Sequence, residues 1–400
     1  MQKRILKRLV LPLLFMLHGA ANGAEAPGAC LADLEDAARY IAANDAGAPG
    51  LLADHEAAIT RAFDKARADI AAAPSLDDAR CKAILRSYFR AWRPGHLGVE
   101  TRKPESVPIS TPISAPVSTP ISGGKPAPAG TPAAAQPAAQ QAAQQADDPK
   151  APRFKLLGKD TVLLSFGQFN DRYAARVRQL IADHRAELVA HPNWIIDVRD
   201  NGGGADGTYK PLLGWLLDGE LPHHTVEFLV TPDNIKRQEE VCPQLSNPAA
   251  CMTSLGPVIE AMRAAKPGTY VMKGTERISY DKVALEPKRP ARVAILIDRD
   301  CGSTCEQFVL EARTSFRVKL VGRPTYGALD DSNMRPHQLP SGVRTLLYAT
   351  TRSTRVPDMR IDGIGIPPDI LLPKPQDAAA RDAEVALVQR WLEGGSLSGK

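Results

Sequence analysis

The chain has 400 residues, of which 44% are hydrophobic and 24% charged, with a formal net charge of +5. Lys3, Arg4, Lys7 and Arg8 fall in the first 23 positions with no acidic residue among them, so the remainder is close to +1. A chain that near neutrality sets up no global field for nucleic acid. Beyond the N-terminus no stretch is apolar enough to span a bilayer.

The first 23 residues read as a secretory signal: a basic start, an apolar run from Leu9 to Leu17, and small residues Ala21 and Gly23 placed for cleavage. The apolar run is far shorter than a spanning helix needs. The expected location is periplasmic or secreted. Residues 24–100 form a small helical domain, with helices over 30–43, 55–72 and 77–92 set by apolar residues at helical spacing, among them Ile59, Phe63 and Ile70. Asn44 to Gly50 breaks the first two, and Pro94-Gly95 stops the third.

Residues 101–152 change character. Pro, Ala, Ser, Thr and Gln dominate, and Ser110-Thr111-Pro112-Ile113-Ser114 returns as Ser118-Thr119-Pro120-Ile121-Ser122. Too little bulky apolar material is present to offset the entropy of ordering, so this is a disordered linker. From 153 to 375 strands (162–166, 194–198, 224–230, 293–298, 318–322, 345–350) alternate with helices (171–190, 207–217, 304–315). That alternation argues an α/β core with a mixed or parallel sheet. A last helix over 377–392 lies in the C-terminal segment 376–400.

Six cysteines survive removal of the signal. An even count in an exported chain suits disulfides. Proximity favours Cys242 with Cys251 and Cys301 with Cys305, leaving Cys30 and Cys81 to tie two N-terminal helices. Metal binding is disfavoured, because no C-x-x-C pair or adjacent histidine accompanies them.

Two strand-to-helix turns can hold chemistry. The first, Asp197-Val198-Arg199-Asp200-Asn201-Gly202-Gly203-Gly204, offers glycine backbone and a helix N-terminus to a ligand. It includes a formal GxGxxG at Gly202, Gly204 and Gly207, but no second strand ends in an acidic residue about 20 positions on, which disfavours a dinucleotide enzyme. In the second, Asp298-Arg299-Asp300-Cys301-Gly302-Ser303-Thr304-Cys305-Glu306, the serine sits where open α/β sheets place ligands. By itself Ser303 reads as a helix N-cap. A serine nucleophile also needs a base. His96 and His337 are the rivals, while His223-His224 suggests a metal without a third ligand.

Together these pieces resemble the C-terminal-processing (tail-specific) serine peptidases and their tricorn-like and retinoid-binding-protein-like relatives. Four segments carry the resemblance in order: Gly95-His96-Leu97-Gly98-Val99; Ile196 to Gly203; Gly302-Ser303-Thr304-Cys305-Glu306; and Asp362-Gly363-Ile364-Gly365-Ile366-Pro367-Pro368-Asp369. The resemblance implies a ClpP/crotonase-like peptidase core, with no cofactor and an extended or unfolded polypeptide as substrate. Ser303 matches the nucleophile. The position where many members carry a catalytic lysine holds Ala328, so the implied activation follows the tricorn-like branch, with His96 as base and Asp362 as its orienting acid. Asp330, Asp331 or Asp358 could replace Asp362, which could equally satisfy backbone groups in a turn. Thr304 with Gly202 or Gly203 would supply the oxyanion hole. No tail-delivering peptide module fits between 100 and 153. The competing expectation is a catalytically silent relative that binds peptide or an apolar ligand in the same cleft.

Overall fold

The computed structural model describes residues 27–102, 148–244 and 248–395. The expected signal, and the expected linker apart from its two ends, lie outside these residues. Three helices open the chain: α1 (Pro27–Asn44), α2 (Ala48–Ala71) and α3 (Asp78–Phe89). The break between α1 and α2 is much shorter than expected, because Pro49 sits in the first turn of α2, where its missing N–H is no loss. Asp77 caps α3, accepting from the Arg80 amide at 2.7 Å, and the Cys30–Cys81 disulfide ties α1 to α3. A short strand, β1 (Gly98–Thr101), follows.

The core begins with β2 (Arg153–Leu157), β3 (Thr161–Ser165), α4 (Ala174–Asp183), α5 (Arg185–Ala190), β4 (Asn193–Asp197) and α6 (Asp206–Leu216). An excursion then carries β5 (Leu221–His224), β6 (Val226–Leu229), α7 (Pro232–Val241), α8 (Pro248–Ala264), β7 (Tyr270–Met272) and β8 (Ile278–Asp281). The chain returns through β9 (Arg292–Ile297), α9 (Thr304–Ala312) and β10 (Val318–Gly322). It continues through β11 (Asp331–Gln338), β12 (Arg344–Ser353) and β13 (Ile370–Leu371) to α10 (Ala378–Leu392).

One sheet has the order β13-β10-β9-β4-β3-β2, parallel except where β2 runs against β3. Its central strands β4 and β9 are buried on both sides, as parallel strands between two helix layers require. On β4, Trp194 and Ile196 join Val177, Leu212 and Phe308 of the helices on one face. Ile195 points the other way, with Leu296 and the α10 residues Val388 and Leu392. The expected α/β core therefore forms as a helix–sheet–helix stack. The expected helix over 171–190 is interrupted at His184, between α4 and α5.

A second, antiparallel sheet centres on β12, with β11 on one side, β1 and β6 on the other, and β7 beyond β6. The expected strand over 224–230 is two strands, β5 and β6, in different sheets. α7 and α8 pack behind β6 and are joined by the Cys242–Cys251 disulfide. The N-terminal helices dock on this sheet: Leu34, Ile41, Leu85 and Phe89 share a cluster with Leu339, Leu346 and Tyr348. α1 to β1 therefore pack as part of the body that holds β11 and β12.

Candidate active site

β4 and β9 are parallel neighbours, so the turns at their carboxyl ends emerge side by side. Two hydrogen bonds join them: the Gly302 amide donates to the Asn201 carbonyl at 3.1 Å, and the Asp200 amide to the side-chain Oδ1 of Asp298 at 3.3 Å. A Cβ at Gly203, where φ is +100°, would stand 2.8 Å from the Ser303 Cβ and 2.9 Å from the Thr304 nitrogen. Only glycine allows the first turn to press this closely on the second.

Ser303 begins α9 with φ +56° and ψ −124°. Such left-handed backbone costs a non-glycine residue about 1–3 kcal/mol and persists only where its surroundings impose it. Here the restraints are visible. The Cys301–Cys305 disulfide brackets the serine, and the Ser303 amide donates to Glu306 Oε2 at 3.1 Å. Buried Glu306 also accepts from Thr325 Oγ1 and from the Gly327 and Ala328 amides, at 2.5, 2.7 and 2.8 Å. One carboxylate thus fastens the serine turn to the loop over 325–328.

His96 arrives from across the molecule, on the loop between α3 and β1. Arg93 secures that loop: its guanidinium pairs with buried Asp45 and donates to the Gly95 and His96 carbonyls at 2.9 and 2.8 Å. Tyr326 Oη donates to the Pro94 carbonyl at 2.9 Å. His96 Nε2 lies 2.9 Å from Ser303 Oγ, and Nδ1 meets the main-chain carbonyl of Asp331 at the start of β11. A carbonyl can only accept, so Nδ1 carries the proton and Nε2 is left with its lone pair facing the serine hydroxyl. Burial, reinforced by the Arg93 charge and only partly offset by the Asp331 carbonyl, pushes the imidazole down to about 4. His96 is therefore neutral at pH 7, the form a base must have.

The expected roles are not all filled in the expected way. Asp362 Oδ1 accepts from the Leu329 and Asp330 amides, at 2.5 and 2.7 Å, while its buried Oδ2 has no hydrogen-bond partner. It makes no bond to His96, whose Nδ1 is occupied by the Asp331 carbonyl; of the two readings left open, the turn-satisfying one describes its contacts. Burial and nearby Asp330 push its carboxyl up to about 6. Among the rival acids, Asp330 binds Arg355 and the Ile361 and Asp362 amides through its carboxylate, and only Asp331 reaches the imidazole, through its backbone. The Gly203 amide is engaged by Asn201 Oδ1 at 3.0 Å, and Gly202 lies outside the wall of the cavity that contains Ser303, whereas Gly204 and Thr304 line it. His337 stacks on Tyr40 and pairs with Asp36 at 2.8 Å, engaged with α1. His223 binds Ser279 and approaches Asp281. Among the described residues the only cluster with metal-ligand spacing is Asp200, Asp298 and Asp300.

The cavity in front of Ser303 and His96 has a volume of about 750 Å³ and is walled by the antiparallel sheet, the β5–β8 ribbon and helices α6, α8 and α9. The model of peptidase family S41 matches residues 160–372, more than half of the chain. The chain belongs to peptidase family S41. No curated protein sequence matches this S41 peptidase. Among solved structures it is similar to a peptidase from Parabacteroides merdae ATCC 43184, at 14% identity and TM-score 0.50, covering 91% of this chain and 97% of that one. It is also similar to a CPAF variant, at 12% identity and TM-score 0.61 (93% and 99% covered), and to mature CPAF, at 13% and 0.58 (94% and 99%). At such identities the likeness is one of fold, and it extends beyond the matched region of this S41 peptidase to its N-terminal helices.

Proposed function

We propose that this S41 peptidase is an exported serine endopeptidase that hydrolyses extended polypeptides through an acyl-enzyme on Ser303. The observation that carries the reading is the 2.9 Å contact between Ser303 Oγ and a neutral, singly oriented His96 in the wall of a large cleft. Ser303 Oγ attacks the scissile carbonyl carbon as His96 Nε2 takes its proton. The tetrahedral intermediate collapses, the C–N bond breaks, and the imidazolium returns the proton to the leaving amine. Water then attacks the ester by the same route and releases Ser303.

The oxyanion formed on attack needs two amides. Thr304 supplies one, at the N-terminus of α9. Gly204 is the better second donor than Gly202 or Gly203. It is bridged to Phe169, whose bonds go to Gly203 and Ala205, so its own carbonyl faces the opposite way and accepts from Thr304 Oγ1 at 2.9 Å. In such a bridge the N–H of the central residue faces the same side as its C=O, here toward the serine turn. Asp362 acts as a positioning residue, holding the amides just before Asp331 and so the carbonyl that orients His96. Export is supported by three disulfides and no free cysteine among the described residues.

Fluorophosphonate labelling of the purified chain tests this reading. Wild type is expected to be labelled on Ser303, His96→Ala to be labelled at least 100-fold more slowly, and Ser303→Ala not at all. Persistent labelling of Ser303→Ala refutes the nucleophile, and an unlabelled wild type favours a silent, ligand-binding relative.

A further inference from the structure

Five arginines are buried among the described residues: Arg93, Arg199, Arg335, Arg344 and Arg355. Four have a carboxylate in contact. Arg93 pairs with Asp45, Arg199 with Asp197 and Glu384, Arg344 with Asp33 and Asp78, and Arg355 with Asp330. Arg335 has none. Its guanidinium, 1% exposed, donates to two neutral acceptors, the Met334 carbonyl at 2.9 Å and Gln238 Oε1 at 2.8 Å, and its Nε has no partner. A guanidinium stays charged in any protein and has five N–H donors. Burying one without a counter-charge is costly, and chains ordinarily avoid it. Desolvation with no acid nearby pulls the group down to about 10, still protonated at neutral pH.

The unpaired arginine lies in the wall of the cavity that contains Ser303 and His96. We infer that Arg335 is the anchor of a carboxylate-binding subsite in the substrate cleft, the bound polypeptide supplying the missing counter-charge. The inference rests on the peptidase reading. A planar guanidinium suits a carboxylate, which accepts two parallel N–H bonds. Its place along β11 sets the reach. The carbonyl that orients His96 belongs to Asp331, and Arg335 follows four positions later on the same strand, about 13 Å at ~3.3 Å per residue. An extended peptide crossing that distance places its carboxylate three or four residues from the scissile bond. The group is either the C-terminal α-carboxylate or an Asp or Glu side chain.

Binding to the full chain carrying Ser303→Ala separates these sources without turnover. The probes are alanine-valine hexapeptides in two pairs: free acid against C-terminal amide, and amidated peptides with Glu against Gln at the fourth position. Titration calorimetry is expected to show at least tenfold tighter binding for the carboxylate member of one pair, which identifies the source. Adding Arg335→Met should abolish that preference without lowering the melting temperature, because an apolar side chain replaces an unpaired buried charge. If Arg335→Met does not fold, Arg335→Gln keeps donors for Met334 and Gln238 and must lose the same preference. Equal affinities within both pairs, or a preference that survives loss of the Arg335 charge, overturns the subsite. A carboxylate preference in Ser303→Ala beside an unlabelled, inactive wild type would retain the subsite and remove the peptidase reading alone.

Discussion

The parallel sheet presents Ser303 through contacts close in sequence, whereas the antiparallel sheet presents His96 through a contact between residues 235 apart. On the first side a strand, a tight turn, a four-residue disulfide loop and a glutamate three positions on fix Ser303. On the second, α1, α3, β1, β11 and β12 must all be in place before Nδ1 finds its carbonyl. The serine turn is built locally, and the histidine that meets it is placed by docking. Perturbing the docked half should therefore remove activity while leaving the serine turn intact.

The largest effect of that kind is expected at Asp45, which binds Arg93 and accepts from the Gly47 and Ala349 amides at 3.0 Å. Asp45→Ala removes the close partner of a buried guanidinium and leaves it only Asp331 Oδ2 at 3.8 Å, and breaking a buried pair in this way costs about 3–5 kcal/mol. Denaturant unfolding should show that loss, with fluorophosphonate labelling falling in parallel. The parallel-sheet side offers the opposite sign. Burial and the charge of Asp206 push Glu311 on α9 up to about 7, against an ordinary 4.5. The folded state holds this proton more tightly than the unfolded chain, so the associated stability is present below pH 4.5 and lost as pH rises through 7. Glu311→Gln should consequently be more stable than wild type at pH 8, by up to about 3 kcal/mol, with little difference at pH 4. Equal melting temperatures at pH 8 would contradict it.

Smaller effects probe the base itself. Protonation of His96 blocks proton transfer, and its environment moves that event from near 6.5 to about 4. The acid limb of the labelling rate should then fall near pH 4, with full reactivity at pH 5.5; a midpoint near 6.5 would mean the ring is solvated. Asp362→Asn keeps an oxygen for the Leu329 and Asp330 amides, so labelling should stay within about tenfold of wild type. A fall of about 10⁴ would restore Asp362 to a triad role.

The same contrast explains what was legible beforehand. The strand-turn-helix units around Asn201 and Ser303 are written in continuous sequence, and the three disulfides follow from spacing and elimination. Ser303 and His96 were recognisable only as members of an ordered set of segments. The Asp331 carbonyl was out of reach, because an orienting group on the main chain leaves no mark in the side-chain alphabet. Its strand, Asp-Ser-Asn-Met-Arg-Pro-His-Gln, is too polar to register as one, since β11 is shaped by pairing with β12 rather than by alternation. α7 carries a signal of its own in the sequence: Thr231 followed by Pro232 is an N-cap with proline in the first turn, and Thr231 Oγ1 accepts from the Asn234 amide at 3.1 Å. Arg335 could not be singled out, because being unpaired is a property of the surroundings.

Ala328, at the position where the resemblance to tail-specific peptidases implies a lysine, is kept short by its neighbour. A Cβ at Gly95 would stand 2.3 Å from the Ala328 Cβ, so the main chain leading to His96 runs over the very spot a longer side chain would leave from. A lysine side chain at 328 would collide with the loop that delivers the imidazole. An amine at 328 and an imidazole delivered over Gly95 thus exclude one another sterically.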